Sequence, residues 1–287
     1  METRISSAKK EVIVSPERPT VLIGERLNPT GKKKLAAALQ ASDWGYIQQI
    51  ARAQVEAGAD ILDINVGVVG LDEVTVLPQV VQLVMEVVNV PLCFDSNNPK
   101  ALEAALKVYQ GKALINSVTG EKNKLEAVLP LIRDYGASVI GLALDDDGIP
   151  KEADKRVEIA SKIIEAAGRL NIASNNILID CLTLTMGSDH NAGKTTIEAV
   201  RKVKEKLGVN LTLGCSNCSF GLPDRDPLNS IFLAIAISAG VNCPIVDVAK
   251  MRPIVLAADL ASGRDPFAMR YLKGFRARQQ EKETAAA

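Results

Sequence analysis

The sequence repeats one pattern eight times: a short apolar, β-branched run ending in a polar residue or glycine, then a longer amphipathic stretch. The runs are Val21–Ile23, Ile61–Ile64, Leu92–Phe94, Ala113–Ile115, Val139–Leu144, Ile177–Ile179, Leu211–Leu213 and Ile245–Val248. They recur about every 32 residues, an ordinary length for a strand followed by a helix. Eight such units in one chain predict an α/β fold, the (β/α)8 TIM barrel.

A doubly wound parallel sheet would show the same alternation and is the competing prediction. The count of eight favours the barrel, and so does the absence of a Gly-x-Gly-x-x-Gly segment after the first run. The amphipathic stretches include Pro99–Tyr109, Lys122–Tyr135, Lys151–Leu170 and Thr195–Leu207. They have ordinary helix ends, since Asn98-Pro99 opens one of them and Gly136 closes another. We divide the chain into an N-terminal extension (residues 1–18), a barrel (19–275) and a C-terminal tail (276–287).

The composition bears on partners and location. The 34 basic and 34 acidic side chains balance, and only 3% of residues are aromatic, which argues against a nucleic-acid partner. No apolar run approaches the roughly 20 residues of a membrane helix, so no membrane partner is expected. The first residues lack the apolar core of a signal peptide, and five cysteines do not suit a disulfide scaffold. We therefore expect a cytoplasmic protein.

Polar side chains follow almost every apolar run, at the end of a barrel where chemistry takes place. They are Glu25, Arg26, Asn28, Asp63, Asn65, Asp95, Ser96, Asn97, Asn116, Ser117, Asp145, Asp180, Ser216, Asn217 and Asp247. Turns and helix caps explain some of these residues one at a time, such as Asn97 before the helix at Pro99. Together, the acids and amides suit a flat heterocycle with many hydrogen-bond donors and acceptors.

Three other features carry weaker predictions. The only histidine is His190, which cannot build a His-rich metal site, and no bound metal is predicted. The Gly187–Thr195 segment resembles a phosphate-binding loop but has five residues where that motif has four. Cys215-Ser216-Asn217-Cys218 has no second cysteine pair at metal-binding spacing, so packing is the simpler interpretation.

Several segments together resemble the pterin-binding methyltransferases. They are Ile23-Gly-Glu-Arg-Leu-Asn28, Leu62-Asp-Ile-Asn-Val-Gly67, Cys93-Phe-Asp-Ser-Asn97, Leu114-Ile-Asn-Ser117, Gly148-Ile-Pro150 and Gly214-Cys-Ser-Asn-Cys-Ser219. Within that superfamily the chain is most similar to the stand-alone methyltetrahydrofolate:corrinoid-protein methyltransferases. These include the enzyme acting with the acetogenic corrinoid iron–sulfur protein and the folate-side enzyme of glycine betaine and O-demethylase systems. The family fold is a (β/α)8 barrel, as the repeat predicts.

The resemblance implies a pterin site. Asp95 and Asn116 match residues that bind the edge of the pterin, and Asp180 matches a third pterin-binding acid. Gly214 and Ser216 match positions that line the same strand end.

The resemblance also implies the catalytic residues. Asn217 matches the asparagine that hydrogen-bonds N5 of the folate, and Asp63 matches an acid in the network behind N5. Arg225 matches a basic position near the aminobenzoate portion of the folate. An amide oriented by an acid would stabilise protonated N5 in the transition state and so assist methyl transfer.

What the resemblance implies about partners is equally specific. The methyl group would be transferred between the folate, as tetrahydrofolate or 5-methyltetrahydrofolate, and a cobalamin-type corrinoid. Transfer could run in either direction. The sequence contains no Asp-x-His-x-x-Gly cobalamin signature, so a separate corrinoid protein would present that cofactor. Family members are commonly homodimers. Two alternatives stay open: a dihydropteroate synthase-like enzyme, which would need a lysine-bearing motif where Ser216–Ser219 stands, and a folate-binding barrel without catalysis.

Overall fold

The computed structural model of the protein describes residues 1–286. The strands are β1 (Thr3–Ser7), β2 (Glu11–Val14), β3 (Ile23–Leu27), β4 (Ile61–Ile64), β5 (Leu92–Asp95), β6 (Gly111–Lys112), β7 (Leu114–Thr119), β8 (Ser138–Leu142), β9 (Ile177–Asp180), β10 (Asn210–Thr212) and β11 (Ile245–Val246). The helices are α1 (Lys33–Gln40), α2 (Trp44–Glu56), α3 (Glu73–Val87), α4 (Pro99–Val108), α5 (Lys122–Tyr135), α6 (Ala153–Arg169), α7 (Ala192–Leu207), α8 (Arg225–Ala239), α9 (Val248–Ala261) and α10 (Met269–Ala286).

Eight of these strands form one parallel sheet that closes on itself. Their order is β3, β4, β5, β7, β8, β9 and β10 in sequence, with β11 pairing back onto β3. The ring closes between β10 and β11, where Gly214 bridges to Ile245 and the Ile245 amide donates to the Leu213 carbonyl at 3.0 Å. The predicted TIM barrel is confirmed.

The observed elements differ from the predicted ones mainly at their ends. The last apolar run was expected to reach Val248, but β11 ends at Val246 because Asp247 and Val248 begin helix α9. Helix α7 begins at Ala192, three residues before the predicted Thr195. Helix α5 covers the predicted residues and ends at Gly136, whose φ of 62° is a left-handed value that glycine adopts readily.

A β-hairpin covers the amino-terminal end of the barrel. β1 pairs antiparallel with β2 and with the short β6. Ile5, Val12 and Val14 of this hairpin are buried. They pack against the lowest inward-facing layer of the barrel, formed by Val21, Ile23, Ile61, Cys93, Leu114, Ile140, Leu178 and Cys243. The hairpin therefore completes the barrel core from below.

Buried hydrogen bonds attach the hairpin to the last strands of the barrel. The Asn210 amide donates to Thr3 Oγ1 at 2.8 Å and to the Val14 carbonyl at 3.0 Å. The Asn242 amide in turn donates to Asn210 Oδ1 at 2.8 Å. Because buried polar groups are costly when unpaired, this network fixes the hairpin in one position.

The predicted C-terminal tail lies largely in helix α10, apart from Ala287, which falls outside the described residues. Buried Asp259 of α9 connects this helix to the barrel, since it accepts from Arg270 Nη1 at 2.9 Å and from Thr20 Oγ1 at 2.6 Å. No helix within residues 1–286 has the length and apolar character to cross a membrane.

Candidate active site

Alternation along the strands decides which polar side chains reach the barrel interior. Successive side chains of a strand point to opposite faces, so the residue two positions after a bottom-layer residue also faces inward, nearer the mouth. Ile61 precedes Asp63 in this way, and Cys93 precedes Asp95. The same rule brings a set of polar side chains to the mouth: Glu25, Asp63, Asp95, Asn116 and Asp180.

Two acid–amide pairs form at this end. The Asn116 side-chain amide donates to Asp63 Oδ1 at 3.2 Å, and the Asn28 amide donates to Asp95 Oδ2 at 3.2 Å. Each asparagine therefore uses its side-chain N–H group to bind a carboxylate. The carbonyl oxygen of Asn116 and the remaining lone pairs of Asp95 stay available as acceptors for a ligand. The cluster is suited to a ligand edge that presents N–H groups.

A cavity of about 610 Å³ opens beside these pairs. Its wall includes Asn28 from the loop after β3 and Ser216 and Asn217 from the turn after β10. The side-chain amide of Asn217 makes no hydrogen bond to another residue within the described 1–286 range. A β-carbon at position 214 would lie 3.0 Å from Asn217 Nδ2, a tight contact that glycine avoids.

Arg225 shapes the same wall. Its Nε donates to Ser219 Oγ at 2.8 Å and its Nη2 donates to the Ser216 carbonyl at 2.6 Å. The guanidinium also lies 5.9 Å from the centre of the Phe220 ring. Arg225 therefore holds the turn that carries Asn217 while it lines the cavity.

Asp180 is buried, and both of its carboxylate oxygens accept hydrogen bonds from backbone amides. One carboxylate oxygen accepts from the Leu182 amide at 2.6 Å, and the other accepts from the Gly214 amide at 3.3 Å. Burial raises its pKa to about 6, against the lowering effect of these two bonds. Asp180 thus joins the ends of β9 and β10, and it stands behind the cavity wall.

The central carboxyl groups are hard to ionise together. Burial, and then the charge of neighbouring Asp95, raise the pKa of Asp63 well above its usual value. Burial also raises the pKa of Asp95 to about 6, with a smaller contribution from Glu73. Carboxyl groups that interact in this way hold a proton near neutral pH more readily than exposed ones.

The predicted site residues therefore form three groups. Asp63, Asp95 and Asn116 lie together on one side of the mouth, and Ser216, Asn217 and Arg225 lie on the cavity wall. Gly214 and Asp180 connect β9 and β10 behind that wall. Asp63 hydrogen-bonds Asn116 and not Asn217, because β4 and β7 both neighbour β5 whereas Asn217 follows β10.

Sequence reasoning did not single out two residues that matter here. Lys32 lines the cavity, and its Nζ donates to the Asn28 carbonyl at 2.9 Å. Arg156 is buried, and its guanidinium donates to the carbonyls of Pro150, Cys181 and Leu182, which fixes the loop after Asp180. The run of lysines after the first strand was a usable signal for Lys32. No comparable sequence signal pointed to Arg156, because it lies in an ordinary amphipathic helix.

Among the weaker sequence features, Cys215 lies on the cavity wall, whereas His190 and the Gly187–Thr195 segment do not line the cavity. His190 is exposed, and its Nε2 lies 3.0 Å from the side-chain nitrogen of Asn191, in a second, more open depression. Cys215 and Cys218 are buried free thiols. No group of three or more His, Cys, Asp or Glu in the described part of the chain is arranged to hold a metal ion.

The TIM barrel carries at its mouth an acid–amide cluster that suits a flat heterocycle rich in N–H donors. Residues 24–247 match the family described as pterin binding enzyme. The chain therefore belongs to the pterin-binding enzyme family, as the resemblance of its motifs indicated.

Two characterised relatives refine this assignment. The chain is 32% identical over 266 residues to the methylcorrinoid:tetrahydrofolate methyltransferase of Eubacterium limosum, covering 89% of this chain and 96% of that protein. It is 33% identical to the methionine synthase of Mycobacterium tuberculosis over 88% of this chain, but it spans only 22% of that enzyme. The prediction that the chain is a methyltransferase is confirmed.

Solved structures confirm the barrel. Dihydropteroate synthase from Yersinia pestis superposes with a TM-score of 0.68 at 17% identity, covering 92% of this chain and 100% of that one. The enzyme from Vibrio fischeri ES114 gives the same TM-score, identity and coverage. At this level of identity the likeness concerns the fold alone.

Proposed function

We propose that the protein transfers a methyl group between N5 of tetrahydrofolate and the cobalt of a corrinoid that a partner protein carries. The observation that carries this proposal is the uncommitted amide of Asn217 on the cavity wall, beside the acid–amide cluster of Asp95 and Asn116. The relative from Eubacterium limosum, whose name states this reaction, supports it.

The cluster accounts for binding of the pterin. A pterin offers a ring N–H and an adjacent NH2 group, which a carboxylate such as Asp95 accepts as a pair. The Asn116 carbonyl adds a further acceptor, and Asp63 fixes its direction by taking the amide hydrogen. These residues would set the plane and register of the ring.

Asn217 accounts for the chemistry at N5. A methyl group on a tertiary amine is a poor electrophile, so N5 must gain a proton or a strong hydrogen bond as the methyl group leaves. The Asn217 amide can donate that bond, and it stabilises the transition state more than the ground state. In the opposite direction the same contacts orient N5 as the nucleophile. The corrinoid, when presented at the barrel mouth, supplies the cobalt that accepts or gives up the methyl group.

Two other functions are less well supported by the residues of the site. A dihydropteroate synthase-like activity would need a lysine in the segment that here reads Ser216-Asn-Cys-Ser219, and its solved structures share only the fold. A folate-binding barrel without catalysis would leave unexplained the uncommitted amide of Asn217 on the cavity wall.

A spectroscopic assay tests the proposed reaction. The protein is mixed with methylcobalamin and tetrahydrofolate, and separately with reduced cobalamin and 5-methyltetrahydrofolate. We expect a change in the corrinoid spectrum that requires both the protein and the folate, with free cobalamin or with a corrinoid protein. Tight folate binding with no exchange in any of these mixtures would instead support the non-catalytic barrel.

Binding of the pterin should weaken in acid. Burial raises the pKa of Asp95 and of Asp180 to about 6 in the free protein, and a protonated Asp95 accepts fewer N–H groups. Protonation therefore competes with the ligand as pH falls through that pKa. We expect the Kd of 6-hydroxymethylpterin, whose ring does not titrate between about pH 4 and pH 7, to be nearly constant close to pH 7 and to rise roughly tenfold per pH unit below the pKa.

Titration calorimetry at several pH values measures this dependence. Asp95→Asn removes the titrating carboxyl and should flatten most of the profile, with weaker binding at every pH. A wild-type Kd that does not change between neutral and acid pH would show that Asp95 does not bind the ligand as a carboxylate.

We further infer that the protein is a homodimer that works in the cytoplasm. Ile231 and Ile235 lie one turn apart on α8 and are 61% and 45% exposed, as is usual where a second chain packs. The five cysteines are all free thiols, which suits a reducing compartment. Sedimentation velocity should give the dimer mass, and Ile231→Asp should give the monomer.

A further inference from the structure

An exposed apolar stripe runs along the start of helix α10. Phe267, in the turn before the helix, is 93% exposed, and Met269, Leu272 and Phe275 are 68%, 43% and 47% exposed. Residues three apart on a helix lie on neighbouring turns, so the last three side chains form one continuous row. We call these four residues the α10 stripe. Contiguous exposed apolar surface of this kind marks an interaction site more often than an accident of folding.

Basic residues accompany the α10 stripe, and acidic residues do not. Between Asp265 and Glu281 the chain contains no acidic residue and four basic ones, Arg270, Lys273, Arg276 and Arg278. Lys273 and Arg276 are exposed, and each follows an apolar member of the stripe by four residues, which places it on the same face of the helix. Neither forms an ion pair with any residue whose side chain the structure describes. The stripe therefore offers both apolar surface and unpaired positive charge to an outside partner.

The opposite side of the helix is fixed to the barrel. Asp265 accepts hydrogen bonds from the backbone amides of Arg270 at 2.9 Å and Tyr271 at 2.8 Å, and these bonds anchor the first turn. A β-carbon at Gly274 would lie 2.5 Å from Leu256 Cδ1, so α10 packs closely on α9 at this point. The stripe is thus held facing outward.

The backbone also keeps Phe267 exposed. Phe267 and Ala268 both have a φ of 56°, a left-handed value that residues with a bulky side chain rarely adopt. Strained backbone of this kind persists only where the surrounding structure enforces it, and it is concentrated at functional positions. The ring of Phe267 is therefore presented to the surroundings at the start of the helix, where it can enter an apolar phase.

We propose that the α10 stripe binds the surface of an anionic lipid bilayer, with Lys273 and Arg276 at the level of the headgroups. A helix with Phe and Leu beside Lys and Arg lies in the plane of the interface, and anionic headgroups attract its cations. A second copy of this chain is a poorer partner, because twofold contact through α10 would oppose like charges. The proposal departs from the sequence-based expectation of no membrane partner, which rested on the lack of a spanning segment. Binding at the surface requires no such segment.

Cosedimentation of the full-length protein with lipid vesicles tests this proposal. Vesicles of phosphatidylglycerol and phosphatidylcholine in equal parts should bind the protein roughly tenfold more tightly than phosphatidylcholine alone. The difference should shrink as ionic strength rises well above about 0.15 M. Phe267→Ser with Phe275→Ser should weaken binding to the mixed vesicles by roughly tenfold or more. Lys273→Gln with Arg276→Gln should weaken it by a similar factor and should leave binding to phosphatidylcholine almost unchanged.

Val69→Ser and Lys122→Gln are the matched controls. Val69 is 97% exposed in the loop after β4, and the Lys122 side chain is 85% exposed at the start of α5. Because neither residue belongs to α10, both variants should bind vesicles as the wild type does. Phe267→Trp adds a direct signal, since its fluorescence should shift to shorter wavelength on binding. The emission of Trp44, the only tryptophan of the wild type, should not change.

Two kinds of result would overturn the inference. Failure of the wild type to bind the anionic vesicles, or full binding by both double variants, would show that the α10 stripe is not a lipid site. Loss of dimer mass in the Phe267→Ser, Phe275→Ser protein, measured by sedimentation velocity, would assign the stripe to a second copy of the chain instead. Methyl transfer to free cobalamin should be unchanged in every variant, because α10 does not line the cavity. The lipid site and the proposed function are therefore tested separately.

Discussion

Replacing Asn217 with alanine is expected to lower the rate of methyl transfer by about 10²- to 10³-fold, the usual cost of removing one transition-state hydrogen-bond donor. The amide faces the cavity and takes no part in holding the fold, so the variant should remain folded. Folate affinity should fall far less, since in the proposed function Asp95 and Asn116 hold the other end of the ring. The loss should therefore appear mainly in kcat.

Circular dichroism and single-turnover measurements separate folding, binding and chemistry in this variant. Asn89→Ala serves as the control, because Asn89 is an exposed asparagine in the loop before β5, at the opposite end of the barrel. Its rate should equal that of the wild type. Wild-type turnover by the Asn217→Ala protein would exclude the proposed role of the amide.

Removal of residues 1–15 is expected to unfold the barrel. Burial of Ile5, Val12 and Val14 stabilises the fold by about 1.5–3 kcal/mol for each side chain. Their sum approaches the total stability of about 5–15 kcal/mol that is typical of a folded domain. The deletion also leaves the buried Asn210 amide without Thr3 and Val14 as acceptors.

A pair of point variants makes the same test without truncation. Ile5→Ala should lower the free energy of unfolding by about 2–5 kcal/mol, because Ile5 is fully buried under the barrel. Ile13→Ala removes the same atoms from the half-buried face of β2 and should cost clearly less. Urea denaturation measures both changes. Equal losses would contradict a hairpin that completes the core.

The sequence predicted the barrel because burial imposes a strong period on it. Parallel strands between helices are apolar on both faces, so runs such as Ile61–Ile64 and Ile177–Ile179 are conspicuous. The hairpin escaped detection because β1 and β2 bury only alternate residues and are flanked by charged ones. Helix α5 was predicted with its observed bounds, because Gly136 directly follows it and glycine readily adopts the left-handed conformation that ends a helix.

The site was predictable only in part. Position at a strand end and inward alternation identify Asp63 and Asp95, because both follow from the chain's own geometry. The pairing of Asp63 with Asn116 depends on which strands are neighbours around the ring, which no local pattern encodes. Arg156 illustrates the same limit, because its burial depends on the loops after β8 and β9 meeting above it.

The hairpin has a consequence for the order in which the chain acquires structure. Thr3 and its hydrogen-bond partner Asn210 are 207 residues apart. During synthesis, the hairpin leaves the ribosome first but finds its final contacts only after β10 and Asn242 have emerged. Contacts at such long separation form slowly. We therefore expect nascent chains that stop before Asn210 to be far more sensitive to protease than the released protein, even though most of the barrel strands have been made.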